Sequence, residues 1–434
     1  MSLYDLIIKG VLIAQGNRIA DIAISDGVIK KIEPDIKEEA KEKISGKGKL
    51  VIPAFANMHT HVPMTLFRGL GADLPLMDWL QKIIWPLEKE FVSPDFVKIG
   101  TELGVLEMIK SGTTLFIDMY FFEEMVGEVV ESAGIRAGLG FGILDFPTKV
   151  AKTPDEYIKK AKKFAENIKD HKNVFPVICP HAPYTCSKNT LLKAKELAQE
   201  LNLLIHIHVA ETQTEVERIR EEFGKTPVRY LNDIGFLGEN VLCAHMVWLD
   251  AEEIDIVKET NTAVVHCPES NLKLASGIAP VPAYLGKNLR ITLGTDGSAS
   301  NDNLDMMEEM ATMAKLHKGT SMNTSAIDAT TALKIATENG FSCAGIKAGR
   351  IEEGYEADLI LIDTDCPHLT PLYDPVAQVV YSARSSDIDT VICKGKVIME
   401  NKEVKTLDEE RILREAQTWG DKIKNFITKH FTRD

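Results

Sequence analysis

The chain has 434 residues, 44% of them apolar and 26% charged, with 29 Gly and 18 Pro, a composition that excludes disordered and fibrous classes and leaves material for a large buried core. Fifty Lys and Arg against 64 Asp and Glu give a formal charge of -14, which repels phosphate backbones and argues against a nucleic-acid partner. Seven scattered cysteines (179, 186, 243, 267, 343, 366 and 393) contain no CxxC pair; they indicate neither a disulfide framework nor a thiolate zinc knuckle and point to a reducing compartment.

Residues 1–10 carry Asp5 and lack a basic region ahead of an apolar core, so they do not read as a signal peptide. Residues 4–33 read as short strands rich in Ile, Val and Leu and punctuated by Gly or Asn. The longest stretch free of Asp, Glu, Lys and Arg, Leu50 to Phe67, holds Asn57, two histidines and two prolines, which makes a poor membrane span. A cytoplasmic protein without a membrane partner is expected.

From about 54 to 350 the pattern changes to apolar β-type runs followed by helical spacing, as in βα units with a parallel sheet. Eight runs stand out, at 54–61, 113–120, 136–145, 174–185, 203–212, 241–250, 262–271 and 290–300, and eight suggests a closed (β/α)8 TIM barrel. Helices are predicted over 155–169, with Tyr157, Ile158, Ala161, Phe164, Ala165 and Ile168 on one face, and over 189–201. Two later stretches, 356–363 and 389–404, return to the texture of the first thirty residues, and isolated short strands are marginal. The predicted organisation is therefore α/β: a composite β-sandwich from 1–53 and 355–405, a barrel over 54–354, and a C-terminal helix within 406–434, from Asp408 to Phe431.

Seven of the eight runs end in or just before a His, Asp or Glu, at the end of the strands where barrel active sites are built. In His59-Thr-His61 the period of two places both imidazoles on one side of a strand. His208 closes the fifth run with Glu211 three residues on, and His206 reads as structural. His245 ends the sixth run and Asp296 the eighth. Three histidines and a carboxylate on the first, fifth and eighth runs, with a fourth histidine beside them, suit a divalent metal with an open position. Such a metal lowers the pKa of bound water toward about 7 and so serves hydrolysis. Nitrogen-rich ligands favour zinc, with iron, manganese and nickel of compatible ligand type.

The segments PAFANMHTHVPMTLFRG (53–69), HVAET (208–212), NLKLASGIAPV (271–281) and LGTDGSASN (293–301), with the His245 strand, resemble the amidohydrolase superfamily. DLPLMDWLQKIIWPLE (73–88) sharpens the resemblance to its 5-methylthioadenosine/S-adenosylhomocysteine deaminases. The resemblance implies one metal per subunit held by His59, His61, His208 and Asp296, since the fourth run has no Lys to bridge a second ion. It further implies Glu211, His245 and Asp296 as catalytic groups. Glu88 and His181, together with Glu211 and Asp296, would contact substrate, with Glu88 on the ribose hydroxyls. The implied reaction is hydrolytic deamination of an adenine nucleoside at C6, by a subunit that could form a homo-oligomer. A triazine, guanine or cytosine hydrolase of the same superfamily and a non-catalytic metal-binding scaffold are the alternatives; Glu88 speaks against the first and the complete ligand set against the second.

One departure concerns the 5' substituent. Phe141 stands where the family pattern carries an Arg for the carboxylate of S-adenosylhomocysteine, and an aromatic ring cannot make that bidentate pair. An apolar 5' group against Phe141 is expected, with Lys149 and Lys152 as substitute cations. His266 is a further candidate to line the site. Asp118 reads as a structural acceptor, Trp79 and Trp85 as core packing, and His171, His317, His368 and His430 as surface residues.

Overall fold

A computed structural model describes residues 3–430. The two chain ends pair, as expected, in one continuous mixed sheet of nine strands. Its first strand, Tyr4–Ile13, pairs antiparallel with Arg18–Ser25 and changes parallel partner along its length, from Ala40–Ser45 to Lys49–Pro53. An irregularity between Ile8 and Val11 interrupts its antiparallel register, the kind of local kink that lets one strand serve two directions. Strand Leu359–Asp363 then joins antiparallel to Lys49–Pro53, and Ile388–Cys393 pairs beyond it. Leu6, Ile8, Ile22, Ile44, Val51, Leu359 and Ile392 form a separate apolar core inside this sheet.

Each of the eight apolar runs holds one barrel strand: Phe55–Thr60, Thr113–Tyr120, Arg136–Ile143, Val174–Pro180, Leu204–Val209, Val241–His245, Ala263–His266 and Arg290–Leu293. They pair in chain order and in parallel, and burial on both faces explains why they read as continuous apolar runs instead of alternating ones. The eighth meets the first through irregular bonds. Asp296 N donates to the His59 carbonyl at 2.9 Å, and the Asn57 side chain bonds Thr295 N and Oγ1 at 3.0 and 2.7 Å. Gly294 permits this approach, since a Cβ there would lie 2.8 Å from His59 N and Cβ.

Helices cover the barrel. Pro154–Ile168 starts on a Thr153 cap to Glu156 N and buries Tyr157, Ala161, Phe164, Ala165 and Ile168. After the first strand the chain makes several short helical segments, among them Trp85–Phe91, before the long helix Pro94–Lys110. The final helix, Glu409–His430, packs on Pro94–Lys110 through Phe96 against Trp419 and Arg411 to Glu102; the expected end at Phe431 lies outside the described residues. Arg136, at the base of the third strand, bonds Asp358 and Glu356 and ties barrel to terminal sheet. Among the described residues no helix is long and apolar enough to cross a membrane.

Candidate active site

Four of the sequence-selected residues meet at the C-terminal end of the barrel. Asp296 Oδ1 stands 3.4 Å from His59 Nε2 and 3.3 Å from His61 Nε2, and His208 Nε2 is 3.3 Å from His61 Nε2. The Nδ1 atoms are all engaged from behind: His61 on the Met119 carbonyl at 2.6 Å, His208 on that of His181 at 2.7 Å, and His59 on His206 Nε2 at 2.6 Å. Carbonyl acceptors require Nδ1–H, which turns the Nε2 lone pairs of His61 and His208 toward the common centre, the arrangement of metal-bound imidazoles. His59 Nε2 is buried and has no hydrogen-bond partner. A buried acceptor of this kind costs free energy unless satisfied, and a cation at the centre satisfies it.

The electrostatics agree. Burial brings the His59 pKa down to about 4 and holds His208 well below its usual value, so both are neutral ligands at physiological pH. Asp296 stays well below the carboxylate range although burial works against it, because the His59 and His61 imidazoles stand beside it. At His61 burial is again the largest influence and is outweighed by Asp296, which pushes the imidazole up to about 9. Positive charge is thus drawn to one spot beside a carboxylate and neutral imidazoles. These donors fit a divalent metal ion.

Beside this cradle lies a cavity of about 660 Å³ with His61, His208, Glu211, His245 and Asp296 in its wall, within the usual size for a small-molecule site. His245 has φ of +71°, a left-handed conformation that strains a non-glycine residue and is found at functional sites. Its Nδ1 bonds Asn271 Oδ1 at 2.9 Å, while Nε2 faces Glu211 at 3.8 Å. Glu211 takes a 3.0 Å bond from Ser276, and burial raises its pKa despite the pull of His245. The His181 Nδ1 bonds Thr185 Oγ1, whose proton goes to the Ala182 carbonyl. The imidazole is therefore Nδ1–H, which leaves Nε2 as an acceptor for a ligand. Glu88 lines another wall and is pushed up to about 7 by burial, with the Tyr120 phenol opposing the rise.

The eight residues selected from sequence converge on this region, His59 from beneath the cavity wall. Three helpers were not anticipated: Ser270, Asn271 and Ser276 hold Asp296, His245 and Glu211 respectively. All three fall in the polar segment that follows the seventh strand, which is the one available signal. Several expectations are corrected. Phe141 is not in the cavity wall; it packs on Phe164 at 4.9 Å, because it falls on the outward phase of its strand, and Gly142 lines the cavity instead. Trp85 is exposed and lines the cavity, whereas Trp79 is buried in the core as expected and also reaches the cavity wall. His266 does not, being buried against His317 at 3.2 Å, so His317 is a core residue and not a surface one. Asp118 accepts from Thr60 Oγ1 and Val62 N, as expected of a structural acceptor.

The family model described as the amidohydrolase family matches residues 50–398. A curated 5-methylthioadenosine/S-adenosylhomocysteine deaminase of Aquifex aeolicus is 67% identical, over 98% of this chain and 98% of its own. A 5'-deoxyadenosine deaminase of Methanocaldococcus jannaschii is 44% identical over 95% and 98%. Among solved structures, a zinc-bound adenosine deaminase from Xanthomonas campestris superposes with a TM-score of 0.95 at 34% identity, covering 98% of this chain and 99% of that one. The chain therefore belongs to the amidohydrolase family.

Proposed function

We propose that this protein hydrolytically deaminates adenine nucleosides at C6, releasing ammonia and the inosine analogue. The observation that carries the reading is the placement of Glu211 and His245 beside the ligand cradle in one cavity whose wall also holds Glu88. His59, His61, His208 and Asp296 would hold a divalent cation, zinc by the donor set and by the zinc-bound neighbour, which would lower the pKa of a bound water toward about 7.

The chain's own groups do the rest. Asp296 accepts a proton from the attacking water, with His245 Nε2 within reach to assist. Glu211, whose pKa burial raises, donates in its acid form to a purine ring nitrogen, so the charge displaced by attack at C6 is neutralised where it develops. Glu88 and the His181 Nε2 orient sugar and base, which contributes positioning instead of proton transfer. Glu211→Gln is expected to lose about 10²- to 10⁴-fold in kcat while keeping its metal; near-normal turnover would remove Glu211 from the reaction.

For the 5' substituent, Leu144, Phe146 and Pro147 form an apolar wall, and Lys149 is already committed to the Glu90 and Val92 carbonyls at 3.1 and 2.8 Å. This supports 5-methylthioadenosine and 5'-deoxyadenosine over S-adenosylhomocysteine, with Lys152 the remaining cation on that rim. The test compares kcat/KM for these three and adenosine by the ultraviolet change from adenine to hypoxanthine. Turnover of none of them would overturn the reading, and S-adenosylhomocysteine as the best substrate would overturn the preference. All seven cysteines are unpaired, which supports a cytoplasmic setting.

A further inference from the structure

Far along the chain from the catalytic ligands, Cys366, His368 and Asp387 converge just beyond the end of strand Leu359–Asp363 and the start of its neighbour Ile388–Cys393. Each offers one ligand atom, and these lie within 4.8 Å of one another. The Cys366 Sγ is 3.5 Å from His368 Nε2, and the same Nε2 is 2.7 Å from Asp387 Oδ2. One imidazole nitrogen thus faces both a thiol and a carboxylate. A catalytic Cys–His–Asp relay would use opposite ring nitrogens, so this is not one.

We propose that Cys366, His368 and Asp387 form a second, structural zinc site, distinct from the catalytic cradle. A tetrahedral ion with Zn–S of about 2.3 Å and Zn–N of about 2.0–2.1 Å separates sulfur from nitrogen by roughly 3.5 Å, the spacing of Cys366 and His368. The carboxylate oxygen must withdraw by about half an ångström to reach the corresponding N–O edge of roughly 3.3 Å. The side chains of His368 and Asp387 are 27% and 11% exposed, so the fourth corner is open to water. A thiolate, an imidazole and a carboxylate together select zinc over the hard cations magnesium and calcium.

On binding, the thiol proton passes to solvent and a Zn–S bond replaces the S–H bond. The His368 proton moves from Nε2 to Nδ1, and the Nε2 lone pair is donated to the ion. Without a cation the thiol is discouraged from ionising by its partial burial and by the nearby carboxylates of Asp387 and Asp363; the ion reverses that preference. The site clips the start and end of the segment between strands Leu359–Asp363 and Ile388–Cys393. This segment carries helix Pro375–Tyr381, which packs on the barrel helix Ala329–Ala336. Closing it removes freedom from the unfolded chain.

The catalytic donors are nitrogen and oxygen only, so a thiolate signal reports this site alone. Wild-type protein loaded with Co2+ should bind two equivalents per chain and show a sulfur-to-cobalt charge-transfer band in the near ultraviolet. Cys366→Ser should bind one equivalent, lose the band and keep its deaminase turnover. One equivalent in the wild type, or a band that survives in Cys366→Ser, overturns the proposal. In the unmutated protein, stoichiometric zinc should protect Cys366 from alkylation at least tenfold, and unprotected labelling overturns it equally.

Discussion

At the residue scale the decisive property is which proton each buried group holds. Burial pushes Glu88 up to about 7, and ribose hydroxyls donate best to a carboxylate. The ionised fraction grows as pH rises through 7, so kcat/KM for 5-methylthioadenosine should climb over pH 6 to 8, and Glu88→Gln should flatten the climb. An identical profile in both proteins would separate Glu88 from the sugar. His206 does not line the cavity, yet its Nε2 lies 2.6 Å behind His59 Nδ1. Outer partners of metal-bound histidines typically contribute 10- to 100-fold in metal affinity. His206→Leu should therefore weaken zinc binding by about that factor in a chelator competition, with an unchanged circular dichroism spectrum.

At the scale of elements the site depends on how the eighth strand approaches the first. A methyl group at 294 would enter the 2.8 Å gap to His59 N and Cβ. Overpacking of this kind costs about 1–3 kcal/mol, so Gly294→Ala should both lower Tm and reduce the divalent-metal content of the purified protein. Normal metal content would show that the strand can yield without moving His59. The strands were legible in the sequence because doubly buried parallel strands are uninterrupted apolar runs, and the length of the fifth run with the Glu211 spacing picked out His208, since the period of two puts His206 and His208 on the same side. The phase of Phe141 was missed although the alternation carries it: in Arg136–Ile143 every position is buried, but Ala137, Leu139, Phe141 and Ile143 share one face, and Arg136, Gly138, Gly140 and Gly142 the other. His317 was misplaced by its lysine neighbours, whereas Met306, Met310, Met313 and His317 share the buried side of helix Met306–Ser321, a spacing of four, three and four that marks one helix face. The roles of Ser270, Asn271 and Ser276 depend on loop geometry that no periodicity encodes.

At the scale of the whole molecule, barrel and terminal sheet share a charged joint. Arg136 is nearly buried, and Asp358, fully buried, takes two of its bonds at 3.3 and 2.5 Å. Removing one partner of such a pair leaves a desolvated charge and costs about 3–5 kcal/mol. Arg136→Met should lower the unfolding free energy by that amount in denaturant titration. A change below about 1 kcal/mol would mean that water reaches Asp358 once the guanidinium is gone.

The contact between Asp296 and His59 also has a temporal meaning. The two residues stand at opposite ends of the barrel's sequence, and Asp296 becomes available only when the last strand has been made. A nascent or truncated chain displays the paired histidines of the first strand without their carboxylate. The four-residue ligand set is therefore complete only once the eighth strand has closed the ring.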